Sequence, residues 1–363
     1  MNAERLHALG IAVQDDLEQT SLVPTLQQLR DALRNQVNAP QDANFQQQVA
    51  TTLDRLLTAL AAAPSNSFPP TWLQVEEELG IDHLLGERLG VTIRGIFERN
   101  QITPSVAADE IDRLYAEVEA LATQLTALLG AFEHFHVGAE ELQPGRAEVA
   151  VLIPRPAVGN QLSRLGAEFQ ELHRLLGPFL ELGTGSRPSV EVVSISATDF
   201  GVFIDLAPKA AAFLAVAVER LIGAYKNLLE IRKLRHEMNE QGVPTDRLAG
   251  IDEHANSVMS DRIEEITAEL VMEASSRVDA GRQNELRVEL RLALNGIANR
   301  IDVGYNIDVR AGSAAAESDT GPDDTEALQK IRNASINLRF LNRSGKPILS
   351  LEEGPPDGQF RPE

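Results

Sequence analysis

The chain has 363 residues, 33 basic against 54 acidic side chains, a net charge of −21 and no cysteine. That length suits two or three domains with real cores, and an apolar share of 43% excludes wholesale disorder. The acidity argues against nucleic acid or an anionic membrane as the main partner, because both need a basic surface; without cysteine there are no disulfides, thiolate metal sites or cysteine nucleophiles.

From Met1 to Gln19 an early Arg5 is followed by Asp15, Asp16 and Glu18, with no apolar stretch of the secretory kind. Up to about residue 138 there is no strand-like alternation. Phe45, Val49, Leu53, Leu56, Leu57 and Leu60 recur at three and four and predict a helix ended by Pro64. Trp72, Leu73 and Leu79 open another helical group, with Pro69 and Pro70 suited to its first turn. The clearest helix starts at Thr103-Pro104, where Thr suits the N-cap and Pro the first helical position. Its apolar residues Ile111, Leu114, Val118, Leu121, Leu125, Leu128, Phe132 and Phe135 alternate steps of three and four, a heptad seam. Such a seam needs covering, by a neighbouring helix of the same domain or by a second subunit. Leu114, Val118, Leu121, Leu125, Leu128 and Phe132 are therefore the candidate interaction residues.

The second half reads as α plus β. Ala147 to Pro154 is a short apolar run of strand length, and Leu162 to Phe179 is helical. Ser189 to Ala197 is rich in β-branched residues, and a Thr198-Asp199 turn leads to alternating Phe200, Val202, Ile204 and Leu206. A long helix from Pro208 carries two adjacent apolar stripes, one through Phe213, Ala217, Leu221, Ala224, Leu228 and Ile231 and one through Leu214, Val218, Ile222, Tyr225 and Leu229. Its polar end stops at Gly242 and Pro244. This is also the most apolar window, but from Ala210 it meets Glu219 and Arg220 after nine residues, short of the ~20 that a membrane span needs. Helices over about 247–279 and 282–299 follow. Then Ile301 to Val309 alternate strictly with Asp302 to Arg310, predicting a strand with one solvated face.

The fold expected is α+β and predominantly helical. A helical bundle over 1–138 precedes an α+β domain over 139–310, ferredoxin-like in its βαββαβ order, with a helical insertion at about 247–299. A flexible linker is expected at 311–325, a C-terminal helix and β-hairpin at 326–353, and a disordered tail at 354–363.

No motif identifies a reaction, and no catalytic residue or cofactor is assigned. His236-Glu237-x-x-Glu240 places His236 and Glu240 on one helical face as metal ligands, with Glu237 as general base and His254 or Asp252 as third ligand. The competing reading is a solvated helix end. His134 and His136 diverge at a helix terminus and fit capping better. Thr198-Asp199-Phe200-Gly201 spells a kinase metal-binding tripeptide without the other kinase parts. Asp261, Glu265 and Glu269 form one stripe without the histidines of a di-metal site. The function expected is a non-catalytic cytoplasmic interaction, scaffold or regulatory protein that oligomerises or binds another protein. The setting expected is a bacterial multi-protein assembly, for example in stress or phage defence. The bacterial source rests on composition, with arginine far outnumbering the five lysines (Lys209, Lys226, Lys233, Lys330 and Lys346). The alternative is a metal-dependent hydrolase or nuclease using the His236 helix.

Overall fold

A computed structural model describes residues 2–196, 200–243, 248–274, 280–312, 322–338, 340–341 and 345–353. The chain divides into two compact units, Met1–Glu141 and Leu142–Glu363. Among the described residues it is mostly helical, with a single four-stranded sheet.

The first unit is all helical: α1 (Ala3–Gln19), α2 (Leu22–Asn38), α3 (Ala43–Ala61), α4 (Pro70–Leu79), α5 (Gly86–Arg99) and α6 (Pro104–His134). Val49, Leu56 and Leu60 bury the predicted face of α3. Helix α6 lies against α1 and α2, and Gly10 makes room for it: a Cβ there would stand 3.0 Å from Leu129 Cδ2. The chain then closes back on α1, with His7 Nδ1 2.7 Å from the Val137 carbonyl and Arg5 paired to Glu140 at 2.7 Å. Two acids are buried here with little compensation. Asp16 Oδ1 accepts from the Ser65 amide (2.7 Å), but Asp16 Oδ2 and Glu76 Oε1 have no hydrogen-bond partner among the described residues. Burial raises both pKa values, that of Glu76 to about 7.

The second unit contains β1 (Ala147–Ile153), the single turn α7 (Arg155–Val158), α8 (Leu162–Thr184), β2 (Glu191–Ser196), β3 (Phe200–Leu206), α9 (Pro208–Glu240), α10 (Ala249–Ala274), α11 (Ala280–Val303), β4 (Asn306–Ala311) and α12 (Pro322–Asn337). The sheet order is β2-β3-β1-β4 and every pairing is antiparallel. The register sets Val149 opposite Ile204 and Val309, and Val151 opposite Val202 and Ile307. These side chains share one core with α8, α9 and the later helices. Gly183 permits the crossing of α8 and α9, since a Cβ there would lie 2.4 Å from the Ala210 nitrogen. Of the two predicted stripes of α9, Phe213, Leu214, Ala217, Val218, Leu221, Ile222, Tyr225 and Leu228 are buried, while Ala224, Leu229 and Ile231 are only partly so. No helix of the described residues is long and apolar enough to cross a membrane.

Four expectations need correction. Ile301, Asp302 and Val303 belong to α11, because Leu286, Leu290, Leu294, Ile297 and Ile301 form a helical stripe that outweighs the alternation. The helix ends one residue later at Gly304, with φ +121°. The expected solvated face of β4 is not solvated. Asp308 is fully buried, and Arg310 pairs with Glu148, opposite it on β1, at 2.5 Å. Ala311 ends β4 and Pro322 opens α12, so both ends of the expected linker are structured. Among the described residues the C-terminal hairpin is not formed: Ile336 lies in α12, where Leu328, Ile331 and Ala334 are buried at helical spacing with Leu338 just beyond its end, and residues 345–353 carry no strand. The Thr198-Asp199 turn, Pro244, residues 313–321, the 342–344 part of the turn and the 354–363 tail lie outside the described residues.

Candidate functional site

The most elaborate polar constellation is built where residues 345–353, a strap, cross α9, α10 and α11. It begins with three buried side chains. Arg232 on α9 donates through Nη1 to Asp302 Oδ1 (2.8 Å), to the Asp302 carbonyl (2.7 Å) and to the Tyr225 hydroxyl oxygen (2.6 Å). Tyr225 in turn donates to Asp302 Oδ1. Arg232 is 5% exposed and the other two are fully buried. Burial and the neighbouring Asp302 push the Tyr225 pKa up, so its hydroxyl stays a donor. A buried carboxylate on this scale needs its remaining lone pairs satisfied, and the strap does this: Ile348 N and Leu349 N both donate to Asp302 Oδ2 at 2.6 Å.

The grip continues along the strap. Ser350 N donates to Asn256 Oδ1 on α10 (2.8 Å), and Leu351 N to Asn299 Oδ1 on α11 (3.0 Å). Four consecutive amides, Ile348 to Leu351, thus end on side-chain oxygens. Asn299 also donates to the Leu351 carbonyl (2.9 Å), so one carboxamide serves both backbone groups of one residue, as a neighbouring strand would. Asn295 holds the Glu352 carbonyl (2.7 Å) and Arg232 Nη2 the Gly345 carbonyl (2.6 Å). The Glu353 carboxylate accepts from Asn299 (2.7 Å) and Arg300 (3.0 Å). Glu168 holds Arg300 from the other side at 2.5 Å. Ile348 and Leu351 bury their side chains in the core.

Why these helices offer a groove follows from their sequence. Asn295, Asn299 and Asp302 stand at i, i+4 and i+7, a polar stripe on one side of α11. Set beside the buried Leu294, Ile297, Ala298 and Ile301, that stripe is the signal that sequence reading passed over. Asp302 reads as the outer face of a strand, and Arg232 as the start of a solvated helix end.

With the site in view, comparison with known proteins is brief. No family model matches the chain, and neither a curated protein nor a solved structure does.

The residues singled out by sequence fall elsewhere. Leu114, Val118 and Leu125 are buried in the first unit's own core, Leu121 and Phe132 pack partly against it, and Leu128 is 36% exposed. Beyond Val118 the buried side runs through Leu125 and Leu129 rather than Leu128, because a straight helix drifts about 20° per heptad against a strict seven-residue repeat. His236 Nε2 lies 3.6 Å from Glu240 Oε1, both side chains well exposed, and His254 is exposed on α10. Among the described residues no group of three His, Asp or Glu side chains could hold a metal. His134 and His136 are both exposed at the end of α6. On α10, Glu265 is paired with Arg262 at 2.6 Å, Glu264 with Arg287 at 2.5 Å, and Glu269 with Arg220.

Proposed function

We propose that this chain is a non-catalytic interaction protein whose recognition element is the groove on α9, α10 and α11, which takes a short peptide segment and is filled in cis by residues 345–353. The observation that carries the reading is the run of four strap amides bound by Asp302, Asn256 and Asn299. Side chains that read backbone groups, with burial for apolar residues such as Ile348 and Leu351, are the equipment of peptide recognition rather than of covalent chemistry. Within this reading the sheet is the split βαβ arrangement of the ferredoxin-like kind, with α10 and α11 inserted between α9 and β4. The strand order β2-β3-β1-β4 supports it. The setting proposed is a cytoplasmic bacterial multi-protein assembly, supported by the absence of cysteine and the arginine-rich composition.

The test uses the whole folded protein. A protease recognition sequence is placed between Leu341 and Gly345, the purified chain is cleaved, and native mass spectrometry follows the C-terminal fragment. The fragment is expected to stay bound and to exchange with an added labelled peptide of residues 345–353. A body that keeps its circular dichroism but binds neither fragment nor peptide overturns the reading.

A further inference from the structure

Resting on that reading, we infer that the groove selects its occupant by the pattern Gly-x-x-apolar-apolar-x-apolar-x-Glu, and that the partner is a protein presenting a short segment of this chemistry in competition with the strap. Each fixed position has its own cause. Gly345 has φ +77°, and a Cβ there would stand 3.0 Å from His236 Cβ and 3.1 Å from its Cγ. Its carbonyl is held by Arg232, so it cannot back away from that wall without losing the bond. Only glycine meets both conditions comfortably.

Ile348 and Leu351 are 3% and 8% exposed, the two anchors of the segment. Their amides are tied to Asp302 and Asn299, so the backbone bonds and the apolar pockets impose one register together. Leu349 packs partly against the same core, whereas Lys346, Pro347, Ser350 and Glu352 are exposed and their side chains are left unread. Glu353 closes the pattern, with its carboxylate on Asn299 and Arg300. Gly296 leaves the space for this end: a Cβ there would lie 2.6 Å from Leu175 Cδ2 and 3.4 Å from Glu353 Oε2. A charge-assisted bond from arginine to a carboxylate is stronger than one to a neutral amide, so the last position favours an acid over its amide.

The strap also sets how strongly a partner must bind. A segment tethered by a short connection competes at an effective concentration on the order of millimolar. A free peptide of micromolar affinity is therefore largely excluded from the intact chain, and release of the tether uncovers its binding.

The experiment compares intact with cleaved protein by fluorescence anisotropy, using labelled peptides of residues 345–353. The parent peptide is expected to bind the cleaved protein at least about tenfold more tightly than the intact one. Peptides carrying Ile348→Asp or Leu351→Asp are expected to lose about tenfold or more, and Gly345→Ala or Glu353→Gln about three- to tenfold. Lys346→Ala and Ser350→Ala should stay within about twofold. If the parent peptide binds the cleaved protein and all variants bind alike, the pattern is overturned while the groove stands. If the parent peptide fails to bind a cleaved body that remains folded, the proposed function itself falls. Exchange of straps between intact copies, seen as dimers, with no gain for free peptide on cleavage, overturns the heterologous partner.

Discussion

Asp16 and Glu76 in the first unit and Asp302 in the second are buried in opposite ways. In the first, Asp16 and Glu76 are enclosed with one oxygen each lacking a partner among the described residues. The charged form is then disfavoured, and Glu76 is pushed to about 7. In the second, Asp302 is just as enclosed, but Arg232, Tyr225 and two strap amides converge on it. Burial alone therefore does not decide what a carboxyl group does; the donors around it do. The first arrangement links stability to pH, and the second links it to the presence of a nine-residue segment.

The largest expected effect tests the second arrangement. Asp302→Ala removes the carboxylate paired with buried Arg232 and strips two amides of their acceptor. It should cost about 3–5 kcal/mol in denaturant unfolding of the second unit, and it should expose the strap to proteolysis. A double variant, Arg232→Met with Asp302→Leu, should cost less than Asp302→Ala alone; if it costs more, the pair does not act as a unit.

The next effect belongs to the first unit. Between pH 4.5 and about 7 native Glu76 keeps a proton that the unfolded chain has lost. The folded state therefore binds more protons there, and stability falls as pH rises through that window. The fall should reach at most roughly 3 kcal/mol, with Arg88 opposing it and Asp16, Asp82 and Glu77 adding to it. Glu76→Gln should flatten the slope in melts taken from pH 4 to 8; an unchanged slope would place the titration elsewhere.

Smaller again is Gly183→Ala. Its Cβ would press on the backbone nitrogen of Ala210, which cannot rotate away. A loss of about 1–3 kcal/mol in the second unit is expected, with no change in the first. Last comes a near-silent change: Leu128→Ala, on the exposed side of α6, should alter stability by less than about 0.5 kcal/mol, whereas Leu125→Ala should cost about 2. Equal costs at the two positions would show that the heptad seam is covered along its whole length.

Sequence periodicity carried far where burial is apolar and local. Helices α3, α6 and α9 and strand β3 can be read from spacing alone, because 3.6-residue and two-residue repeats report which side faces a core. It misread Ile301–Val303 and Ile336, where a short alternation lies inside a longer helical stripe. It could not find the groove. Arg232, Asn256, Asn299 and Asp302 are ordinary polar residues on three helices far apart in the chain, and no local pattern states that they meet. What the sequence determined by itself was the helical character, the positions of β1, β2 and β3 and the acidic, cysteine-free composition, all sums over neighbouring residues. Which polar groups went inside, and that the 345–353 segment lies across helices rather than in a hairpin, was decided only in three dimensions. There the cost of burying a charge depends on donors brought within about 3 Å by the fold.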